Sequence, residues 1–208
     1  MLVKVYGCAV YGILATKITV EVNIVPGVNF YLVGLPDNAV KESHQRIDAA
    51  LKNNGYKIPG KQITINMAPA DIKKEGSSYD LTLAIGILAA SEQIKTDVLE
   101  DYVIMGELAL DGVIRPIKGV LPIAIKAKEE GFKGIIVPTE NAAEASVVEG
   151  LEVYAANHIK DVISFFNGND SALEKLQFNA EKFFILDETL DVPDFSDVKE
   201  PDTINVFN

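Results

Sequence analysis

Hydrophobic and polar positions along this chain switch several times between a period of two and a period of three to four. Residues 17–24 alternate strictly, with four aliphatic side chains on one face, which is typical of a half-buried strand. Pro26-Gly27 favours a tight turn, and residues 30–34 are predicted to return as the second strand of a hairpin. Residues 62–67 alternate again and predict a further strand.

The first predicted helix lies between these strands. Asp37 has the side chain of an N-cap, and Gly55 is the residue type that ends a helix, so we expect the helix to run between them. Glu42 and Arg46 are four residues apart and are predicted to lie on its solvent side, where they would support each other.

The second predicted helix has a different character. Residues 81–90 are apolar nearly all round, so this helix must be covered on most sides and is expected at the centre of the domain. A polar loop with Gly and Ser precedes it. Ser77 and Ser78 at the end of that loop are interpreted as capping residues of the helix.

The rest of the pattern predicts a mixture of strands and helices. Asp111-Gly112 lies between apolar residues and predicts a two-residue hairpin turn. Helices are predicted at 119–131, 141–148 and 159–166, and strands at 135–137 and 153–155. Hairpins followed by strands mixed with helices predict an α/β sandwich of mixed topology.

Composition narrows the class of protein. The 208 residues are 48% hydrophobic and 24% charged, the balance of an ordinary globular protein. The single cysteine, Cys8, allows no disulfide within the chain and favours a reducing compartment. No stretch reaches the ~20 apolar residues that span a bilayer, and the apolar run at 5–15 lacks the cleavage site of a secretion signal. We therefore expect a cytoplasmic protein with no membrane partner.

Charge is distributed unevenly. The chain has 30 acidic and 19 basic residues, and residues 169–208 alone contain ten acids and three bases. The preceding residues are only mildly acidic. Neither part has the basic excess expected of a domain that binds nucleic acid by itself, so any DNA binding by one copy is expected to be weak.

Four long motifs follow one another in order. They are G-L-P-D-N-A-V-K-E-S at 34–43, I-T-I-N-M-A-P-A-D-I-K-K-E-G at 63–76, Y-D-L-T-L-A-I-G-I-L at 79–88 and G-E-L-A-L-D-G-V-I-R-P-I-K-G-V-L-P at 106–122. Together they resemble the N-terminal domain of the ComM/YifB-type magnesium-chelatase-like AAA+ ATPases. The resemblance implies a ribosomal protein S5 domain 2-like, Lon-protease-like fold, an α/β (α+β) fold with a mixed sheet, over residues 1–167. It also implies an acidic tail or linker over residues 168–208.

The resemblance also implies partners. In that family the domain precedes a hexameric AAA+ motor that uses ATP and Mg and is linked to DNA uptake and recombination. Residues 194–199, D-F-S-D-V-K, resemble the entry to the motor, but the Walker A loop that follows in the family is not found. A truncation, a frameshifted end or a fragmentary gene model would each produce this change of sequence. We expect no cofactor and no enzyme activity in this chain, and partners that are the motor domain or other copies.

One apparent nucleotide motif is rejected. Residues 55–62, G-Y-K-I-P-G-K-Q, have the spacing of a phosphate-binding loop. Such a loop follows a strand, opens a helix and ends in Ser or Thr. Here the predicted helix precedes the motif, a strand follows it, and Gln62 replaces the hydroxyl residue. The motif is interpreted as a helix-to-strand connection.

Two positions decide whether the chain has the residues of a Lon-type peptidase. Aligning K-E-G-S-S-Y-D-L-T with the K-D-G-P-S-A-G-I-T pattern of Lon-type peptidases places Ser78 at the nucleophile. Aligning R-P-I-K-G-V-L with L-P-I-G-G-L-K places Leu121 at the catalytic lysine, and leucine cannot take a proton from a hydroxyl. Lys118, three residues earlier, is the nearby substitute. We expect no catalytic residues.

Other sites are weaker. His44 and His158 have no second ligand at a metal-binding spacing, so no metal site is expected. Three functions therefore compete: an accessory or assembly domain of an AAA+ DNA-processing motor, a residual Lon-type peptidase, and a DNA-binding module like the related Lon-like domains in the RadA repair protein. The candidate contact surface consists of Lys57, Lys61, Lys73 and Lys74.

Overall fold

The structure is a computed structural model that describes residues 1–177. Its strands are β1 (Leu2–Tyr11), β2 (Leu14–Val25), β3 (Phe30–Val33), β4 (Gln62–Ala68), β5 (Tyr102–Ile104), β6 (Glu107–Leu108), β7 (Ile114–Arg115), β8 (Gly134–Pro138), β9 (Glu152–Ala156) and β10 (Glu174–Leu176). Its α-helices are α1 (Asn38–Asn53), α2 (Asp80–Ala90), α3 (Val120–Glu129), α4 (Thr139–Ser146) and α5 (Ile159–Phe166).

An eight-stranded mixed sheet forms the framework, in the order β10-β9-β8-β5-β1-β2-β4-β3. Strands β1, β5, β8 and β9 are parallel, whereas β2 is antiparallel to both β1 and β4. Strands β6 and β7 form a separate two-stranded sheet around the predicted Asp111-Gly112 turn. The mixed α/β class predicted from the sequence is confirmed.

The predicted hairpin at 30–34 is wrong in its pairing. Strand β3 forms, but it pairs in parallel with β4, from Phe30 beside Ile63 to Val33 beside Asn66. Both edges of β2 are already occupied by β1 and β4. The chain therefore makes a β3-α1-β4 crossover, in which a helix joins two parallel strands.

Helix α2 lies at the centre, as predicted, and all of its residues are buried. It packs very close to the sheet, because a Cβ at Gly86 would lie 2.8 Å from a methyl carbon of Val22 and 3.1 Å from one of Val5. The dense apolar contact around this helix fixes the position of the loop that precedes it.

Both predicted ends of α1 are confirmed. The Asp37 carboxylate accepts a hydrogen bond from the Val40 N–H at 2.8 Å. At the other end Gly55 has a φ of 83°, and the Tyr56 N–H donates to the Leu51 carbonyl oxygen at 2.9 Å, which is a Schellman ending. Residues 55–61 then connect a helix to a strand, as expected for a motif that is not a phosphate loop.

The sheet continues past the predicted end of the first domain at residue 167. Strand β10 pairs antiparallel with β9, with Leu176 beside Val153, and the compact unit that contains it extends to residue 178. Most of the predicted tail, 168–208, lies outside the described residues. Among residues 1–177, no helix is long and apolar enough to cross a bilayer.

Candidate functional site

A cleft of about 400 Å³ opens where the predicted serine loop meets the central sheet. The end of β1, the loop that leads into α2 and the segment before α3 form its walls. Its lining residues are Cys8, Ala9, Val10, Tyr11, Lys73, Glu75, Gly76, Ser77, Ser78, Tyr79, Met105, Glu107, Pro116, Ile117, Lys118 and Ile123. A cleft of this size accommodates a small ligand or a short peptide segment.

The two serines do not cap α2, which corrects the sequence interpretation. Tyr79 occupies the N-cap position without a side-chain cap. The Leu81 N–H instead donates to the Gly106 carbonyl oxygen at 3.0 Å, and the Gly106 N–H donates to the Ser78 carbonyl oxygen at 2.9 Å. Because backbone groups of the neighbouring segment satisfy this end of the helix, a side-chain cap is not required.

The two serine hydroxyls have different surroundings. The Ser77 hydroxyl donates to the Glu107 carboxylate, which also faces the Arg115 guanidinium at 3.6 Å. The Ser78 hydroxyl makes no hydrogen bond within residues 1–177. A serine without an adjacent proton acceptor stays protonated and is a weak nucleophile.

The structure brings Lys118, rather than Leu121, to the serine cleft. Lys118 is exposed, lines the cleft with Ser78 and forms no ion pair within the described range. Leu121 lies in the first turn of α3, where its N–H donates to the Glu144 carboxylate at 3.0 Å. Leu121 does not line the cleft. The expectation that no residue here is catalytic stays a prediction.

Directly after the serine loop, Asp80 forms an ion pair that sequence reasoning missed. Arg46 was predicted on the solvent side of α1, but its guanidinium makes two hydrogen bonds to the Asp80 carboxylate, at 2.7 and 2.9 Å. The Asp80 side chain is 1% exposed. A buried carboxylate needs a partner, so an aspartate at the start of an otherwise apolar helix was the signal for this pair.

Burial sets the ionisation of three groups in or next to the cleft. It raises the pKa of the Asp80 carboxyl, whereas the Arg46 guanidinium and the Leu108 N–H oppose that shift. Burial also raises the pKa of the Tyr79 hydroxyl and raises the pKa of the Cys8 thiol to about 12. Cys8 is therefore protonated at neutral pH and is not a nucleophile.

Of the four lysines predicted as a contact surface, one is buried, and a contact surface of the other three stays a prediction. Lys74 is fully buried, and its ammonium group donates to the carbonyl oxygens of Gly34 and Pro69. Lys57 and Lys61 precede β4, and Lys73 follows it, so they are separated by about 20 Å of strand. Lys73 is also paired with Glu75 at 2.6 Å.

The histidines have structural surroundings. The ring of His44 lies 4.2 Å from that of Phe30, centroid to centroid. The His158 Nδ1 accepts a hydrogen bond from the Lys160 N–H at 3.1 Å and caps α5. In the described part of the chain, no group of three or more His, Cys, Asp or Glu residues is arranged to hold a metal ion. The absence of a metal site stays a prediction.

The fold and the serine loop before a buried helix define a Lon-like domain. The family model of ChlI, the subunit ChlI of Mg-chelatase, matches residues 20–141. The chain therefore belongs to this family, and the resemblance identified from the four motifs is confirmed.

Three relatives show how the similarity is distributed. The chain is 45% identical over 168 residues to YifB of Salmonella typhimurium and 44% identical over 167 residues to the competence protein ComM of Haemophilus influenzae. Each alignment covers 80% of this chain and 33% of the relative. Lon protease 2 of Bacillus subtilis is 32% identical over 124 residues, covering 59% of this chain and 22% of the protease. The chain thus spans about a third of the length of YifB and ComM.

Proposed function

We propose that this chain is a non-catalytic accessory or assembly domain of a magnesium-chelatase-like AAA+ ATPase that acts in DNA processing of the competence or recombination type. The Ser78 hydroxyl, which has no hydrogen-bond partner among residues 1–177, carries the non-catalytic part of the proposal. The similarity to ComM, which is named a competence protein, supports the DNA-processing part. ATP and Mg would then be cofactors of the motor, and the motor or other copies would be partners in the cytoplasm.

The chemistry of the cleft favours binding over catalysis. Acyl transfer requires a nucleophile and a base that takes its proton, and Ser78 has no hydrogen-bonded base among residues 1–177. The serine hydroxyl that contacts a carboxylate belongs to Ser77, and that carboxylate, Glu107, also lies close to the Arg115 guanidinium. Tyr79, which lines the cleft, and Asp80, which follows it, are both buried.

Labelling with a serine-reactive phosphonate tests this proposal. We expect no stoichiometric labelling of Ser78 and no cleavage of an unfolded protein substrate by the purified chain. Ser78→Ala and Ser171→Ala, a matched change at an exposed serine, should behave like the wild type. Specific labelling of Ser78, or proteolysis that Ser78→Ala alone abolishes, would contradict the proposal.

A residual Lon-type peptidase is the second candidate, because Lys118 and Ser78 line the same cleft. A lysine side chain is long and flexible, and substrate binding could bring its amine to the hydroxyl. Under this alternative, Lys118→Met abolishes proteolysis and labelling, and Lys73→Met, at the other lysine of the cleft, leaves both unchanged. The accessory role predicts no activity in any of these variants.

DNA binding by this domain alone has less support. Lys74 is buried and the other three lysines of the predicted surface are divided between the two ends of β4. Fluorescence anisotropy with single-stranded and duplex DNA should show no binding at micromolar concentration in physiological salt. Salt-sensitive micromolar binding would instead favour a DNA-binding module.

A further inference from the structure

Strand β3 forms one edge of the eight-stranded sheet, and its outer backbone groups have no partner within residues 1–177. The Ile63 N–H donates to the Asn29 carbonyl oxygen at 2.8 Å, so Asn29 faces β4. In a parallel ladder, residues two apart point their backbone groups the same way, and Tyr31 and Val33 therefore also face β4. The N–H and C=O groups of Phe30 and Leu32 point away from the sheet. This edge can accept another strand.

The same edge is uncharged and apolar. No charged residue occurs between Glu21 and Asp37. Four large hydrophobic side chains in this segment are exposed: Val28 (89%), Tyr31 (47%), Val33 (46%) and Leu35 (52%). Natural sheets usually protect an edge with lysines or other charges, and β3 has none.

The opposite edge of the sheet shows the contrast. Strand β10 carries Glu174 and Lys175, and the Lys175 ammonium group pairs with the Glu152 carboxylate at 2.6 Å. Charged side chains at an edge discourage the addition of another strand. The sheet therefore has one protected edge and one that is open to pairing.

Contacts behind β3 hold this edge in place. The Lys74 ammonium group binds the Gly34 carbonyl oxygen at 2.7 Å, and the Lys74 N–H donates to the Leu35 carbonyl oxygen at 3.2 Å. Gly34 has a φ of 99°, and a Cβ there would collide with the Met67 carbonyl oxygen. An edge fixed in this way loses little conformational entropy when it binds a partner.

We propose that β3 pairs with β3 of a second copy of this chain, so that the two sheets join into one. The pairing is antiparallel and two-fold, with Phe30 opposite Leu32 of the partner subunit, and it places their free N–H and C=O groups within hydrogen-bonding reach of each other. Tyr31 then meets the partner subunit's Tyr31 on the open face of the sheet. The proposal goes beyond the proposed function, because the contact does not depend on whether the chain is catalytic.

Charge favours a second copy as the occupant. The chain has a net charge of -11, so two copies repel each other overall. The β3 edge is a neutral strip that can meet itself without opposing like charges. Pro26 and Pro36 flank it and limit the pairing to a few residues. Because the contact is small, we expect a Kd of roughly 100 µM.

A two-fold contact closes at two copies, so the expected species is a dimer. The hexamer implied by the family resemblance would need a different, heterologous surface. The dimer would exist whether or not the chain is catalytic.

Sedimentation of the full chain between about 10 µM and 1 mM tests the proposal, a range that brackets the expected Kd. The weight-average mass should rise from that of the 22.6 kDa monomer towards twice that value. Tyr31→Lys and Val33→Lys together should keep the chain monomeric, since they place like charges opposite one another and weaken pairing at least about tenfold. Ile13→Lys, at an 88% exposed residue of the β1–β2 turn, should dimerise like the wild type.

Hydrogen exchange shows whether the contact uses the strand edge. The amides of Phe30 and Leu32 should become protected as concentration rises, whereas those of Tyr31 and Val33 are protected at all concentrations. Circular dichroism and thermal melting check that each variant is folded. A wild type that stays monomeric, or a dimer that survives both edge lysines, overturns the proposal. Neither result bears on the Ser78 labelling that tests the accessory role.

Discussion

Arg46 and Asp80 connect the outer helix α1 to the start of the central helix α2. The Asp80 carboxylate has three polar contacts, two from the Arg46 guanidinium and one from the Leu108 N–H at 3.3 Å. A buried carboxylate that loses its counter-charge must be desolvated without compensation. This ion pair therefore orders the end of the loop that carries Ser77 and Ser78.

We predict that Arg46→Met lowers the free energy of unfolding by about 3–5 kcal/mol at pH 7. The loss should lessen in acid, where the unpaired Asp80 takes up a proton. Combining Arg46→Met with Asp80→Leu should recover most of the stability, because no buried charge then remains. Urea denaturation measures each effect.

Lys52→Met provides the matched control. Lys52 pairs with Asp48 at 2.6 Å on the same helix, but its side chain is 64% exposed, and such pairs contribute less than about 1 kcal/mol. If Arg46→Met lowers the free energy of unfolding no more than Lys52→Met does, the Arg46–Asp80 pair does not stabilise the fold.

Only some of the contacts of individual residues were predictable from the sequence. The cap residues Asp37 and Gly55 were predictable because each acts on the backbone within a few residues of itself. Arg46 and Lys74 were not, because Asp80 and Gly34, which they contact, are 34 and 40 residues away and lie close only in the folded chain. A lysine within K-K-E is usually solvated, so nothing local indicated that Lys74 is buried.

Helix α1 ends by backbone conformation rather than by packing. Gly55 has a φ of 83°, and a Cβ there would contact nothing within 4 Å. Gly55→Ala should therefore cost about 1 kcal/mol through the left-handed backbone alone. Thermal melting compares it with Gly60→Ala, in the same connection, where space is equally open and φ is not left-handed. Gly60→Ala should be neutral or slightly stabilising, and equal losses in both variants would contradict this explanation.

Glu130 joins helix α3 to strand β2. Its carboxylate binds Lys126 at 2.8 Å and Lys17 at 2.6 Å, and these ammonium groups lower the pKa of Glu130 from 4.5 to about 2. A carboxyl group whose pKa is lowered in the folded state stabilises the fold at pH values above its ordinary pKa. This contribution is lost as the pH falls through about 2.

Glu130→Gln should therefore be less stable than the wild type at pH 7, and the difference should shrink between about pH 4.5 and pH 2. Because the side chain is 27% exposed, high salt should also reduce the difference. Urea denaturation over this pH range measures it. Glu129→Gln is the control, since Glu129 is 62% exposed and its one ion pair among residues 1–177 is with Lys126, at 3.5 Å. A difference in stability that stays constant with pH would contradict a stabilising role for the lysine contacts.

Most strands and helices were predictable from the sequence, but the partner of each strand in the sheet was not always predictable. Residues 17–24 and 62–67 alternate because one face of each strand is buried, and α2 is apolar all round because it is covered on all sides. The pairing of β3 depends on which edges of β2 are free, and that is a property of the whole sheet. Similarly, periodicity gave no sign of β10, a strand of three residues.

At the scale of the whole molecule, the sheet continues past residue 167, the predicted end of the first domain. Strand β10 covers the outer edge of β9, and Leu173, before it, is 5% exposed. The family motifs could not reveal this strand, because the resemblance fades at about residue 166. The position of the serine cleft, in contrast, followed from the motif at the start of α2.

Two truncated chains test the boundary. A chain of residues 1–178, the compact unit, should melt at nearly the same temperature as the full chain. A chain of residues 1–167 loses β10, exposes the backbone groups of β9 and removes the contacts of Leu173, so we expect a melting temperature lower by several degrees for about 1–3 kcal/mol of lost burial. It should also aggregate more readily, because the β9 edge carries Val153 and Ala155 and has lost its cover. Equal melting of the two truncated chains would place the end of the domain at 167.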